Sequence, residues 1–518
     1  MEHTEQRAAA KKRGERGPSA RRFTATPVRV WDHWLGDGFV HLVACDERGG
    51  ARRDLTPDAA GELRDGNWRL SPAGDLIALS WIEPGPQRIE DASLQRIDVG
   101  TGDRGCLQRV PSTAASAIRW SADGDQLAWV RVDRGPAALA RKTLWLRDNR
   151  TGETRRLASD WDRQPDLHDF APDGSALVVT APDGGAAPVF AVHALTGKVK
   201  RVTSAESEGT HAGLSVLADG TVVGLRSRLT HPPEAFEVAL SGESEPQLLG
   251  ALSGWSPAHG AEVVTVERIG SRAPGGPRCS SLLVRPTDVE GDLPLLLWIH
   301  GGPHSQWGDT WHWRWNPLLM ASRGYAVLLP NPRGSLGEGH AFANQVWAGR
   351  WPAAAADVLA AVDVAAGLQD IDGERVAAMG GSYGGYLCNW LMGDPGRFRC
   401  FISHAGIWDL RTLHGGSDFG PWFDQAMGGH AYTDDDAIAA VSPRSRQAAL
   451  QTPTLVIHGE KDYRCPIHEG LSLFEALQHH EVPSELLVFP DEGHWIVKPE
   501  NIRVWHDAVW AWLARWMG

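Results

Sequence analysis

Hydrophobic positions follow two different rhythms along this chain. Before about residue 255, short strand-like runs such as LIALSW, QLAWV and ALVVT each follow a tight-turn phrase: Leu70-Ser-Pro-Ala-Gly74, Trp120-Ser-Ala-Asp-Gly124, Phe170-Ala-Pro-Asp-Gly174 and Leu217-Ala-Asp-Gly220. The glycines of these phrases stand 50, 50 and 46 residues apart. A second phrase keeps the same beat, a Gly or Thr-Gly turn followed by a basic, β-prone stretch: GGARRDLT from Gly49, TGETRRLA from Thr151 and TGKVKRVT from Thr196. Glycine supplies the positive φ of a tight hairpin, and the β-rich runs supply its strands. Two turns per period of this length describe four-stranded propeller blades. Four full periods and an initial fragment around Trp31 to Cys45 predict a β-propeller of four or five blades over residues 23–255.

From about Glu262 the runs become continuously apolar and are separated by helical stretches: LPLLLWIH, YAVLLP, RVAAMG, CFISHAG, PTLVIHG and ELLVFP. Such runs are strands of a mostly parallel sheet covered by helices on both faces. Residues 256–518 are therefore expected to form an α/β domain. Its ligand belongs at the carboxyl ends of the strands.

Those ends carry the chemistry. After RVAAM comes Gly380-Gly381-Ser382-Tyr383-Gly384-Gly385, a GxSxG match lying between a buried strand and a helix, as a nucleophile elbow requires. After PTLVIHG comes Asp462, and after ELLVFP comes His494, so that the order Ser382, Asp462, His494 is that of α/β hydrolases. A serine needs a base to take its proton, and the base needs an acid to fix its tautomer. Taken singly, a serine in a glycine-rich turn, an aspartate in a loop and one of 21 histidines are ordinary structural residues. Their conjunction at successive strand ends makes them a candidate triad, with Glu460 and Asp491 as competing acids. A fourth strand end, His300-Gly301-Gly302-Pro303, offers a backbone amide at Gly302 which, with that of Tyr383, would form an oxyanion hole.

Composition narrows the function. Lys+Arg 51 against Asp+Glu 64 gives a net charge of -13, which disfavours nucleic acid as a partner. Hydrophobic residues make up 42% of the 518, yet no apolar run approaches the ~18 residues of a membrane helix. The six scattered cysteines (Cys45, Cys106, Cys279, Cys388, Cys400, Cys465) form no CxxC and read as reduced thiols. The basic first 22 residues lack the apolar core of a secretory signal and read as a flexible tail, so the expected compartment is the cytoplasm. Neither HExxH nor a dense His/Asp cluster occurs, and residues 334–339 run GxxGxG rather than GxGxxG, so no metal or nucleotide cofactor is expected. Trp505, Trp512 and Trp516 share one helical face and are expected to pack in the core.

The phrases LLWIHGGPHSQWG, YAVLLPNPRGSLGEGHAF, GGSYGGYLCNWL, GSDFGPWF, HGEKDYRCPIHEGLSLFEALQ and FPDEGHWIVKPENIRVW together resemble the prolyl oligopeptidase family, in particular its acylaminoacyl-peptidase and dipeptidyl-peptidase V branch. The resemblance spans 262 to 518, and PVRVWDHWL extends it loosely upstream. It implies a serine peptidase whose propeller caps the active site and admits short peptides, cleaved near the N-terminus by an acyl-enzyme route. Ser382, Asp462 and His494 match the family triad, and Gly302 and Tyr383 its oxyanion donors. Arg464 matches an arginine that holds a carbonyl of the bound peptide, with a structural salt bridge as its alternative role. By looser alignment Ile407, Leu410 and Leu413 would line an apolar P1 pocket. Relatives carry seven or more blades, so the shorter propeller here would leave an edge to be closed or paired, with homo-oligomerisation as one outcome. Short peptides are the expected partners, and nucleic acid and membranes are not. The rival readings are an esterase, amidase or peptide-tailoring acyl transferase on a small molecule, and a non-catalytic propeller scaffold.

Overall fold

The structure, a computed structural model, describes residues 20–518 apart from 25, 37, 65, 85–89, 136–137, 207–208, 251–262 and 290. Most of the expected basic tail and the expected boundary at 255/256 lie outside the described residues.

The N-terminal half is β-rich. Four antiparallel four-stranded meanders follow one another, beginning with Trp68–Leu70, Thr113–Trp120, Asp166–Phe170 and Thr210–Val216 and ending with Arg104–Arg109, Thr154–Leu157, Val199–Arg201 and Gln247–Gly250. The repeated glycines make the turn between first and second strands. Gly74, Gly124, Gly174 and Gly220 all have φ between 70° and 85°, and each amide donates to the carbonyl three residues back. The Thr-Gly phrases turn the third strand into the fourth at Gly152 and Gly197, and Thr101-Gly102 does the same in the first meander. That member is hidden in the sequence because GDRGCLQR lacks the basic run that follows the other two.

The initial fragment differs from expectation. Val43–Ala44 pairs with Arg53–Asp54 around the Gly49 turn. Trp31, read as the start of a blade, instead sits at the turn of a separate hairpin, Arg29–Val30 with His33–Trp34. That hairpin packs on the C-terminal half: Trp31 N–H donates to Asp418, 387 residues away in sequence, at 2.8 Å, and its carbonyl accepts from the Tyr463 amide at 2.9 Å.

The C-terminal half contains an eight-stranded sheet in the spatial order Val264–Arg272, Arg278–Pro286, Ala326–Asn331, Leu293–Ile299, Ile371–Gly381, Cys400–His404, Thr454–Gly459, Ser484–Phe489. The first two strands are antiparallel and the other six run parallel. All six apolar runs become these parallel strands. Alternation within them feeds two cores. Leu295 and Leu297 face helices Ala354–Ala366 and Tyr383–Leu391. Leu296 and Trp298 face helix Pro499–Met517, where Trp505 and Trp512 are buried and Trp516 packs at the margin. No helix among the described residues is long and apolar enough to cross a membrane.

The halves meet over the carboxyl ends of the parallel strands. Asp309 N–H donates to Gly185 O at 2.7 Å, Leu229 N–H to Asp309 at 2.7 Å, and Leu139 N–H to Asn344 at 2.8 Å. Gly337 and Gly339 serve this seam: a Cβ on Gly339 would lie 2.5 Å from Asp162 Oδ2, and one on Gly337 3.3 Å from Gly184 N, whose N–H donates to Gly337 O at 3.2 Å.

Candidate active site

Ser382 ends strand Ile371–Gly381 and caps helix Tyr383–Leu391 with φ 59° and ψ -119°. A non-glycine residue held there costs of order 1–3 kcal/mol, a strain that surrounding packing must sustain. The flanking glycines show why it is sustained. A Cβ on Gly381 would lie 2.3 Å from the Trp315 ring, and one on Gly384 2.2 Å from Ile299 O. The elbow fits only because strand, helix and neighbouring strand approach through residues without side chains. Ser382 N–H donates to His404 O at 3.0 Å, tying the turn to the next strand.

Asp462 and His494 arrive on adjacent loops laced by backbone hydrogen bonds, Lys461 N–H to Glu492 O and Glu460 N–H to Phe489 O, both 2.9 Å. Gly459 is the contact that permits this, since a Cβ there would lie 2.1 Å from Gly493 O. His494 Nδ1 lies 2.7 Å from Asp462 Oδ2, both side chains being buried. Asp462 Oδ1 accepts the amides of Arg464 at 2.9 Å and Cys465 at 2.8 Å. The carboxylate is therefore fixed at both oxygens, and among the described residues His494 Nε2 makes no hydrogen bond. Of the competing acids, Asp491 is exposed and paired with Lys498, and Glu460 is exposed.

Among the described residues no hydrogen bond joins Ser382 to His494; the serine hydroxyl lies beside the Cys465 thiol, whose pKa burial pushes well above its ordinary value. Contacts of this kind commonly tighten only when substrate binds. His404 and His458 flank the pair, and burial holds both below the usual imidazole range, keeping them neutral.

The Gly301-Gly302 turn runs against the elbow: a Cβ on Gly301 would lie 3.4 Å from Ser382 Cβ. Gly302 has φ 132° and is exposed, and among the described residues neither its amide nor that of Tyr383 donates to another backbone group. The Tyr383 amide also opens a helix, whose N-terminal end carries partial positive charge.

Arg464 adopts the salt-bridge geometry. Its guanidinium binds Asp418 at 2.7 and 3.2 Å and lies 4.3 Å over the Phe419 ring and 5.1 Å over Trp31. Ile407, Leu410 and Leu413 are 1–3% exposed and belong to the same core as Tyr383 and Cys465. At that burial they present almost no surface; the half-buried Phe419 ring lies against Arg464, and the half-buried Trp422 stacks on Phe419 at 4.9 Å.

The sequence did not reveal three neighbours of the site. Trp31 meets His494 edge-on at 5.3 Å and Trp495 at 5.0 Å. Asp418 joins Trp31 to Arg464. Trp505, placed in the core as expected, also donates its indole N–H to His404 at 3.2 Å.

Sheet order, strained elbow and paired strand-end loops define an α/β hydrolase with an N-terminal β-rich domain. The model of the prolyl oligopeptidase family matches residues 311–518. Dipeptidyl-peptidase 5 of Aspergillus fumigatus is 30% identical over 551 aligned residues, covering 96% of this chain and 74% of the relative; that of Porphyromonas gingivalis is 29% identical, covering 77% and 59%. Among solved structures, Pyrococcus horikoshii acylaminoacyl peptidase shares the fold at a TM-score of 0.73 and 21% identity, covering 86% of this chain and 70% of its own. A Mycobacterium tuberculosis puromycin-hydrolyzing peptidase aligns at 0.71 and 19%, covering 91% and 72%. The chain belongs to the prolyl oligopeptidase family and is a serine peptidase.

Proposed function

We propose that this peptidase removes short N-terminal fragments, dipeptides foremost, from short peptides, with Ser382 as nucleophile, His494 as general base and Asp462 as its orienting acid. The observation that carries this reading is the 2.7 Å Asp462–His494 contact on the same rim as the positive-φ serine. His494 Nε2 takes the Ser382 proton as Oγ attacks the scissile carbonyl, and the amides of Gly302 and Tyr383 receive the oxyanion. The imidazolium protonates the leaving amine; water then attacks the acyl-enzyme by the reverse proton route.

Substrate handling follows from the neighbours. Arg464, oriented by Asp418, points its remaining N–H groups at a peptide carbonyl. Phe419 and Trp422 supply the apolar P1 surface, with Ile407, Leu410 and Leu413 as the packed layer beneath. The four meanders are blades of a propeller capping the site, supported by their sequential order and by their seam over the strand ends. Six unpaired cysteines support a reducing, cytoplasmic setting.

Initial rates on a dipeptidyl-anilide, an N-acetyl-aminoacyl-anilide and a short-chain nitrophenyl ester test this. Preference for the dipeptidyl-anilide is expected. Turnover of the ester alone would replace the peptidase reading with that of a small-molecule esterase.

A further inference from the structure

Away from the serine, helix Leu410–Gly416, helix Gly420–Met427 and the turn after them bring three side chains together: His414, Asp424 and His430. The spacing, ten and then six positions, matches no familiar ligand motif, and only folding reveals the cluster. His414 Nε2 lies 3.0 Å from Asp424 Oδ1, and His430 Nε2 lies 3.5 Å from Asp424 Oδ2. The three potential ligand atoms all fall within 4.8 Å of one another.

The plain alternative is a chain of hydrogen bonds through the carboxylate. Its geometry does not fit. Asp424 Oδ1 is buried and among the described residues receives no hydrogen bond, although His414 Nε2 is only 3.0 Å away. A hydrogen bond requires the N–H to aim at the oxygen. A ring nitrogen and a carboxylate oxygen that lie this close without aiming at each other have lone pairs free to converge on a third point, as ligands of one ion do. Four-coordinate zinc, with N and O ligands at about 2.0–2.1 Å, sets neighbouring ligand atoms about 3.3 Å apart. The 3.0 Å from His414 Nε2 to Oδ1 and the 3.5 Å from His430 Nε2 to Oδ2 place both rings against the carboxylate at about that spacing, one on each oxygen, and a turn of the carboxylate brings a single oxygen between them.

We propose that His414, Asp424 and His430 form a binding site for a divalent transition-metal ion of the zinc class, with water as fourth ligand. Two imidazoles and one carboxylate suit such ions and not Mg²⁺ or Ca²⁺, which take oxygen ligands. His414 is only 10% exposed and anchors the site, whereas His430, 48% exposed, closes it from the surface. His430 Nδ1 accepts the Tyr432 amide at 3.1 Å, so the neutral ring carries its proton on Nε2. Coordination through Nε2 moves that proton to Nδ1 and exchanges this hydrogen bond for the metal bond. The ion would pin together the two helices that flank Asp418, the residue holding both Arg464 and Trp31. The binding itself rests only on the three ligands and holds whatever peptide the serine cleaves.

Isothermal titration of the full chain with ZnCl₂, in wild type, His430→Ala and Asp424→Asn, tests the site. One saturable equivalent is expected in the wild type, at least about tenfold weaker in each variant, with a Zn²⁺-dependent rise in melting temperature confined to the wild type. Co²⁺ in place of Zn²⁺ should give the visible absorption of a tetrahedral site. His430 lies on an exposed turn, so its alanine variant folds even if Asp424→Asn does not. Indistinguishable isotherms for wild type and His430→Ala, or no saturable binding to the wild type, would overturn the proposal.

Discussion

Asp462→Asn isolates the tautomer argument from every other feature of the site. In the wild type the two carboxylate oxygens have separate duties: Oδ1 accepts two backbone amides, at 2.8 and 2.9 Å, and Oδ2 faces His494 Nδ1 at 2.7 Å. An asparagine must keep its carbonyl oxygen on the two amides, because the reverse orientation would bury two unsatisfied N–H donors against an NH₂ group, at about 1–3 kcal/mol each. Its NH₂ then points at Nδ1. A ring that accepts at Nδ1 carries its proton on Nε2 and cannot take one from Ser382. The expected loss is about 10⁴-fold in kcat, or some 5–6 kcal/mol of transition-state stabilisation at 1.36 kcal/mol per decade. KM should move by only a few fold, because Asp462 is buried beneath the imidazole. Steady-state hydrolysis of an anilide substrate, with circular dichroism melting as a folding control, measures this. The exposed acids provide the comparison, since Glu460→Gln and Asp491→Asn should retain nearly full activity. An Asp462→Asn enzyme within tenfold of wild type, still folded, would refute the reasoning.

Two further outcomes follow from the same geometry. Trp31→Ala removes the edge contacts to His494 and Trp495, worth about 0.5–1.5 kcal/mol; kcat should fall roughly two- to tenfold and Trp31→Phe should recover most of it, whereas a loss in melting temperature with unchanged kcat would reduce Trp31 to a packing residue. Burial holds His300, His304 and His312 at about 4 in the folded chain against 6.5 unfolded. Below pH 6.5 the unfolded state thus binds protons that the folded state refuses, and stability must drop as pH falls from 6.5 to 4, by about 3 kcal/mol for His300 alone. Urea midpoints measured across that range would contradict this if they stayed flat.

How much of this was legible beforehand depended on what each element packs against. Parallel strands such as Leu293–Ile299 are buried on both faces, so their sequence is continuously apolar and announces them. Tight turns demand positive φ, so Gly74, Gly124, Gly174 and Gly220 marked the meanders. The elbow was legible because close backbone approach leaves no room for a Cβ on Gly381 or Gly384. The hairpin Arg29–Trp34 was not, because its strands have two residues each and its position is set by partners some 390 residues away. The apolar wall assigned to Ile407, Leu410 and Leu413 rested on a loose family alignment, which does not separate a pocket lining from the layer packed beneath it, and all three are buried. The cluster of His414, Asp424 and His430 depends on how two short helices cross, and no periodicity records that.

Everything about the chemistry depends on Ser382 being activated by the His494–Asp462 pair. Incubation of the full chain with a fluorophosphonate probe, followed by mass mapping of the modified residue, reads that activation directly. A single adduct on Ser382, absent in Ser382→Ala and strongly slowed in Asp462→Asn, is the predicted result. An unlabelled wild-type protein, or an adduct formed equally fast when Asp462 is replaced, would contradict it.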